Sequence, residues 1–117
     1  MLFRSFPARV ASRIGGKIQF VDLNKVTHFQ AGEKLTYAVT ATKQYVVDHT
    51  IAELEQKLDR KQFVRIHRAT LVNLAWVDEV HAWFGGRLLV RLKGEKAAEL
   101  TVARDRAREL KDRKSVV

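Results

Sequence analysis

With 117 residues, 46% of them hydrophobic and 30% charged, the chain is long enough for one packed domain and too short to divide. Lysine and arginine number 22 against 13 acids, a formal net charge of +9 that favours a polyanionic partner, either nucleic acid or an anionic membrane face. No cysteine is present, which excludes disulfides, thiolate nucleophiles and zinc–thiolate sites, and no apolar run approaches the roughly 20 residues of a membrane span.

Residues 1–10 read as an N-terminal extension or linker stump, too short and too broken by charge at its start for a signal peptide. Val10 to Ile14 and Lys17 to Asp22 flank Gly15-Gly16, which predicts a hairpin with one buried face carrying Ile18 and Phe20. Leu23-Asn24-Lys25 predicts a turn or a single helical turn, followed by a strand over Val26 to Ala31. Gly32-Glu33-Lys34 then makes a tight connection into Leu35 to Thr40, where Leu35, Tyr37 and Val39 share a face. Ala41-Thr42-Lys43 turns the chain again into Gln44 to Val47, which is rich in β-branched and aromatic residues.

Thr50-Ile51-Ala52-Glu53 is a capping-box sequence, and Ile51, Leu54 and Leu58 continue it as one apolar stripe. This predicts one short amphipathic helix near 51–58, with Glu53 and Lys57 placed to pair one turn apart. Its outward residues include Glu53, Glu55 and Gln56, where a DNA-reading helix wants cations. The helix is therefore a lid on a sheet and not part of a helix-turn-helix.

Phe63 to Leu74 combines a strand, a cationic turn and an apolar anchor. Val64 and Ile66 face one way and Phe63, Arg65 and His67 the other, and the stretch closes on the buried anchor of Leu71, Val72 and Leu74. Between the halves, Arg68-Ala69-Thr70 places a cation and a hydroxyl in a turn carried by a stiff scaffold. Val77 to Phe84 predicts a strand with Val80, Ala82 and Phe84 on one side. Gly85-Gly86 turns it into Arg87 to Leu92, and Lys93 to Lys96 turns that into Ala98 to Val102. A marginal C-terminal helix rests on Ala107 and Leu110. The fold is mainly β, with about nine or ten short strands in antiparallel sheets.

His28, His49, His67 and His81 are scattered and show no metal-binding spacing, His28 and His81 reading as half-buried strand residues. No serine–histidine–aspartate set or carboxylate pair can be assembled, so neither catalysis, a metal nor a cofactor is expected. Three connections concentrate polar and cationic side chains at strand ends: Gly32 to Thr36, Arg65 to Thr70, and Ala103 to Arg108. Arginine forks match guanine or phosphate, and lysine supplies a mobile charge. The plainer alternatives stay open: Arg65 and His67 as edge-strand guards, and Arg104 to Lys114 as a solvated helix face. Two other functions also fit the charge. One is a single-stranded nucleic-acid-binding β-barrel using aromatic platforms. Trp76, Trp83 and Phe84 could serve there, but their apolar surroundings place them in the core. The other is a basic protein-interaction domain.

Phe63-Val64-Arg65-Ile66-His67-Arg68 followed by Leu71-Val72-Asn73-Leu74 resembles the signature of the LytTR-type DNA-binding domain of bacterial response regulators. Phe20 to Leu23 with Phe29-Gln30-Ala31, and Leu100 to Arg104 with Arg106 to Leu110, resemble its opening and closing strands. The resemblance runs from about Gly16 to Lys111, within a domain over 11–114. It implies an elongated arrangement of antiparallel β-sheets that binds double-stranded DNA at imperfect direct repeats in promoters. Strand-connecting loops then enter successive major grooves, commonly bending the duplex, and a second copy is a further partner on DNA. By position Arg68 and Arg104 match contact residues, Lys34, Leu35 and Thr36 the first contact loop, and Arg65 and His67 residues that orient the turn. Thr70 and Arg106 complete the candidate set. Ala69 and Ala103 stand where such domains often have serine, Asp105 lies beside Arg104, and the first loop lacks the usual Gly-Asn-aromatic character. No receiver domain is found in these 117 residues, so the resemblance implies an output domain that is excised or stands alone. The lack of cysteine and of a long apolar run fits a cytoplasmic chain without membrane attachment.

Overall fold

Alternating apolar residues and two-residue turns produce ten strands in the computed structural model, which describes residues 5–94 and 98–113. They are β1 (Arg9–Ile14), β2 (Lys17–Asp22), β3 (Val26–Ala31), β4 (Thr36–Thr40) and β5 (Gln44–Val47), then β6 (Phe63–His67), β7 (Thr70–Asn73), β8 (Val77–Ala82), β9 (Leu88–Leu92) and β10 (Glu99–Val102). Two helices complete the fold, α1 (Ile51–Lys57) and α2 (Arg104–Arg113). A seven-stranded sheet has the order β2-β1-β5-β4-β3-β7-β6, and a three-stranded sheet the order β10-β9-β8. All pairings are antiparallel, and the molecule is a slab of 45 × 41 × 26 Å.

The predicted helix start is present: the Thr50 hydroxyl accepts from the Glu53 N–H at 3.1 Å, and the Glu53 carboxylate accepts from the Thr50 N–H at 3.0 Å. That second bond holds the Glu53 carboxyl below the ordinary glutamate range. Ile51, Leu54 and Leu58 are all buried, so α1 does lie as a lid on the large sheet. The His49 Nδ1 lies 4.0 Å from the Glu53 carboxylate, and the Lys57 charge one turn on also acts on that carboxylate.

The β6–β7 hairpin is buried on both faces, which makes it the wall between two cores. Phe63 and Leu71 join Val26, Phe29, Leu54 and others in the core beneath α1, with the Phe29 and Phe63 rings 5.5 Å apart. Val64, Ile66 and Val72 point the other way, into a core closed by β8, β9, β10 and α2 through Val77, Val90, Val102, Ala107 and Leu110. A fully buried residue such as Ile66 contributes about 1.5–3 kcal/mol by removal from water alone. Asn73, fully buried at the end of β7, donates from Nδ2 to the carbonyls of Val26 (2.9 Å) and Leu23 (3.3 Å) and accepts from Ala75 N–H (3.0 Å). It thereby ties the hairpin to the 3-10 turn Leu23–Lys25 and the start of β3.

Several expectations about burial are corrected. Ile18 and Phe20 lie on the outward face of the β1–β2 hairpin, 55% and 62% exposed, while Val10, Ser12 and Val21 face the core. The hairpin overhangs the sheet, since β1 meets β5 only at Ser12 opposite Val47, and on its outer side the Arg9 guanidinium lies over the Phe20 ring, 5.0 Å from its centroid. In β4 the buried residues are Thr36 and Ala38, and Leu35 precedes the strand, exposed. The strand expected to reach Phe84 stops at Ala82, and Trp83 and Phe84 stand out on a turn instead of entering the core. His81 and Val80 are exposed on β8, whereas His28 is buried more fully than expected. Leu74 and Trp76 form a 3-10 turn, half-buried against the second core, and the Trp76 indole donates to the Asn24 carbonyl at 2.8 Å. β1 takes in Arg9 and Val10 from the expected extension. Residues 1–4, the Glu95-Lys96 part of the expected β9–β10 turn, and Lys114 at the expected domain end lie outside the described residues.

Candidate nucleic-acid interface

Strand register brings the three polar connections to one edge. Ala31 ends β3 opposite Thr36, so residues 32–35 form a tight loop closed by Gly32 N–H to the Leu35 carbonyl at 2.7 Å. Next to it, Arg68-Ala69 forms the turn between His67 and Thr70, and the Ala31 N–H donates to the Ala69 carbonyl at 2.8 Å. On the far side of that turn, the Ala103 N–H donates to the Ile66 carbonyl at 2.8 Å, which seats the start of α2 beside β6. The order along the edge is therefore the β3–β4 loop, the β6–β7 turn, then the β10–α2 junction. A shallow depression lined by Lys34, Leu35, Arg65 and Arg68 joins the first two.

The cations at this edge fall into two sets. Lys34, Arg68 and Arg104 are exposed, and among the described residues none of them has a carboxylate within ion-pairing distance. Arg65 and Arg106 are committed inward. Arg65 Nη1 lies 3.2 Å from Glu55 Oε1, and Arg106 Nη1 lies 3.6 Å from Glu55 Oε2. Arg65 Nη2 also donates to the Arg68 carbonyl at 2.7 Å, while its Nε is buried without a hydrogen-bond partner. Charge-assisted bonds of this kind fix a guanidinium more firmly than neutral ones do. The His67 Nδ1 accepts from the Ala69 N–H at 3.2 Å, so the ring braces the same turn. Thr36 and Thr70 are buried at strand starts, and Leu35 is exposed beside Lys34.

Arg104 leaves the edge in a defined direction. Its methylenes lie 3.2–3.3 Å from the point a side-chain carbon at Gly86 would occupy, so that glycine gives the arginine its room. Glu55, which holds two of the arginines, was absent from the sequence-based set. Its neighbours are ten and 51 positions away, and the only sequence signal was an acid on the outward side of a short helix. Elsewhere, among the described residues, no group of three or more histidines and carboxylates gathers to hold a metal, and no helix is long and apolar enough to cross a membrane.

The family described as the LytTr DNA-binding domain matches residues 16–115. The transcriptional regulatory protein YpdB of Escherichia coli (strain K12) is 30% identical over 115 residues, covering 92% of this chain and 47% of that protein. The sensory transduction protein LytT of Bacillus subtilis (strain 168) is 27% identical over 103 residues, covering 88% of this chain and 42% of that protein. The chain thus spans less than half the length of these curated relatives. A solved LytTr DNA-binding domain from Bacillus cereus superimposes with a TM-score of 0.82 at 19% identity, covering 92% of this chain and 96% of that one, a likeness of fold.

Proposed function

The chain belongs to the LytTr DNA-binding domain family, and from that membership we propose that it binds double-stranded DNA sequence-specifically to regulate transcription, as the output part of a response regulator. Its relatives, a transcriptional regulatory protein and a sensory transduction protein by name, are in keeping with this proposal. The observation that carries it is the single edge at which Lys34, Arg68 and Arg104 lie exposed, without carboxylate partners among the described residues, on three connections held side by side by backbone hydrogen bonds. Loops on a β scaffold can enter a major groove, and three in a row suit successive grooves of a direct-repeat site. A second copy occupies the adjoining repeat.

Within residues 11–114, Lys34, Arg68 and Arg104 are the contacting cations, with Leu35 beside Lys34 offering an apolar surface to a thymine methyl. Arg65, His67 and Arg106 position the turn and the helix start, and Thr36 and Thr70 set the strand ends from which the loops spring. Phosphate contacts supply sequence-independent affinity, and arginine forks on guanine supply discrimination.

Selection of duplexes from a random pool at physiological salt should yield a motif repeated at the helical spacing. On that motif, Arg68→Ala and Arg104→Ala should each cost ~1–3 kcal/mol, with a much smaller loss on random duplex. Equal losses on both duplexes would make these residues phosphate clamps and defeat the readout claim. The single-stranded alternative predicts tighter binding to unpaired oligonucleotides.

A further inference from the structure

The turn between β8 and β9 carries two large aromatic rings into solvent. Trp83 is 47% exposed and Phe84 76%, and their rings pack edge to face with centroids 5.3 Å apart. The turn beneath them is closed by the Trp83 N–H donating to the Arg87 carbonyl at 2.9 Å and the Arg87 N–H donating to the Phe84 carbonyl at 3.3 Å. Exposing an aromatic pair to water costs free energy, and packing it against an apolar surface recovers that cost.

Register sets where this tip lies. Ala82 pairs with Leu88, and Leu88 pairs with Val102, one residue before Ala103 and the start of α2. The tip is therefore at the same end of the small sheet as the β10–α2 junction, and Gly86 lies against the methylenes of Arg104. Arg87, exposed beside the rings, has no carboxylate within ion-pairing distance among the described residues. Aromatic rings next to uncompensated guanidiniums fit the wall of a duplex, where apolar deoxyribose faces alternate with phosphates.

We propose that the Trp83–Phe84 tip is a fourth element of the DNA-binding edge: the rings pack on deoxyribose faces next to the site of Arg104, and Arg87 takes the adjoining phosphate. The proposal rests on the reading of this edge as a duplex-binding surface and adds a contact that the three connections do not include.

The test measures binding of the selected duplex and of random duplex across a salt series, with Phe84→Ala, Arg87→Ala and Arg68→Ala in the full 117-residue chain. Phe84→Ala should weaken duplex binding roughly 5- to 30-fold with an unchanged salt slope, because a ring on a sugar displaces no counterion. Arg87→Ala should weaken binding and reduce the slope by about 0.9, one phosphate contact. Unchanged duplex affinity in Phe84→Ala, with Arg68→Ala still losing specific binding, overturns the tip and leaves the DNA reading intact. A parent chain without salt-sensitive duplex binding overturns both. Sedimentation without DNA covers the competing occupant: self-association lost in Phe84→Ala, with duplex affinity unchanged, assigns the tip to a second copy and also overturns the proposal.

Discussion

Glu55 Oε1 lies 3.2 Å from Arg65 Nη1, and through that contact a carboxylate on α1 bears on the turn between β6 and β7. The same guanidinium donates to the Arg68 carbonyl, so Glu55, Arg65 and the Arg68 turn form a chain from the lid helix to the exposed edge. Both side chains are mostly covered, 17% and 26% exposed, so water screens the pair only in part. Replacing Glu55 by glutamine adds one unit of positive charge, which by itself tightens binding to any duplex. Loss of the brace acts in the opposite direction, and only on the specific site. Glu55→Gln should therefore lower the ratio of specific to random binding by roughly 3- to 10-fold, while costing about 1–2 kcal/mol in urea denaturation. An unchanged ratio with both affinities raised would show that Glu55 matters only as a charge.

Asn73 should be among the residues most sensitive to substitution. Its amide bonds two carbonyls separated from it by 50 and 47 positions, with no exposed surface. Asn73→Ala leaves those carbonyls and the Ala75 N–H in an apolar interior without their partner. The expected loss is about 2–4 kcal/mol, read as a drop in urea midpoint at constant slope. Asn73→Asp should be at least as damaging, since a carboxylate cannot donate to a carbonyl. Retained stability in both variants would mean that water replaces the side chain there.

Local chemistry was legible in the sequence, and partnership across the fold was not. Gly15-Gly16 and the Thr50-to-Glu53 box act within four residues, and both occur where the pattern puts them. The β6–β7 alternation was equally plain because each face of that hairpin meets its own core. Ile18, Phe20, Trp83 and Phe84 misled because hydrophobicity states a preference for burial without stating what is available to cover the residue. An overhanging hairpin and a protruding turn bring too few neighbours to bury them. The candidate edge was half legible. Its cations could be picked out one by one, but their division into exposed Lys34, Arg68 and Arg104 and braced Arg65 and Arg106 depends on Glu55, a long-range neighbour.

His28 predicts a pH dependence of stability. Burial is the main influence and lowers its pKa below the ordinary imidazole value, with a hydrogen bond to Gln30 opposing in part. The Thr27 hydroxyl donates to the Val39 carbonyl at 3.1 Å and lies 2.9 Å from His28 Nδ1, so it accepts the proton of a neutral ring. With a folded pKa below the unfolded value of about 6.5, the unfolded chain takes up the proton first on acidification. Stability contributed by the neutral ring is complete above pH ~6.5 and declines as the pH falls toward the folded pKa, with a slope of at most about 1.4 kcal/mol per pH unit. Urea unfolding between pH 7.5 and 5 should show this decline, and His28→Gln should flatten it. The same slope in both proteins would assign the effect to other groups.

Gly85 and Gly86 offer a paired test of how Arg104 is aimed. Both have positive φ, +67° and +79°, so alanine at either meets comparable backbone strain of about 1 kcal/mol. Their surroundings differ. A methyl at Gly85 meets open space, while one at Gly86 comes within 3.2 Å of the Arg104 methylenes and pushes them aside. The two variants should therefore lose similar stability in thermal or urea unfolding, and only Gly86→Ala should also lose discrimination at the base pair that Arg104→Ala affects. Because the arginine remains present and charged, affinity for random duplex should stay near that of the parent in both. Equal discrimination by Gly85→Ala and Gly86→Ala would show that Arg104 finds its position from α2 alone, with the β8–β9 turn playing no part in directing it.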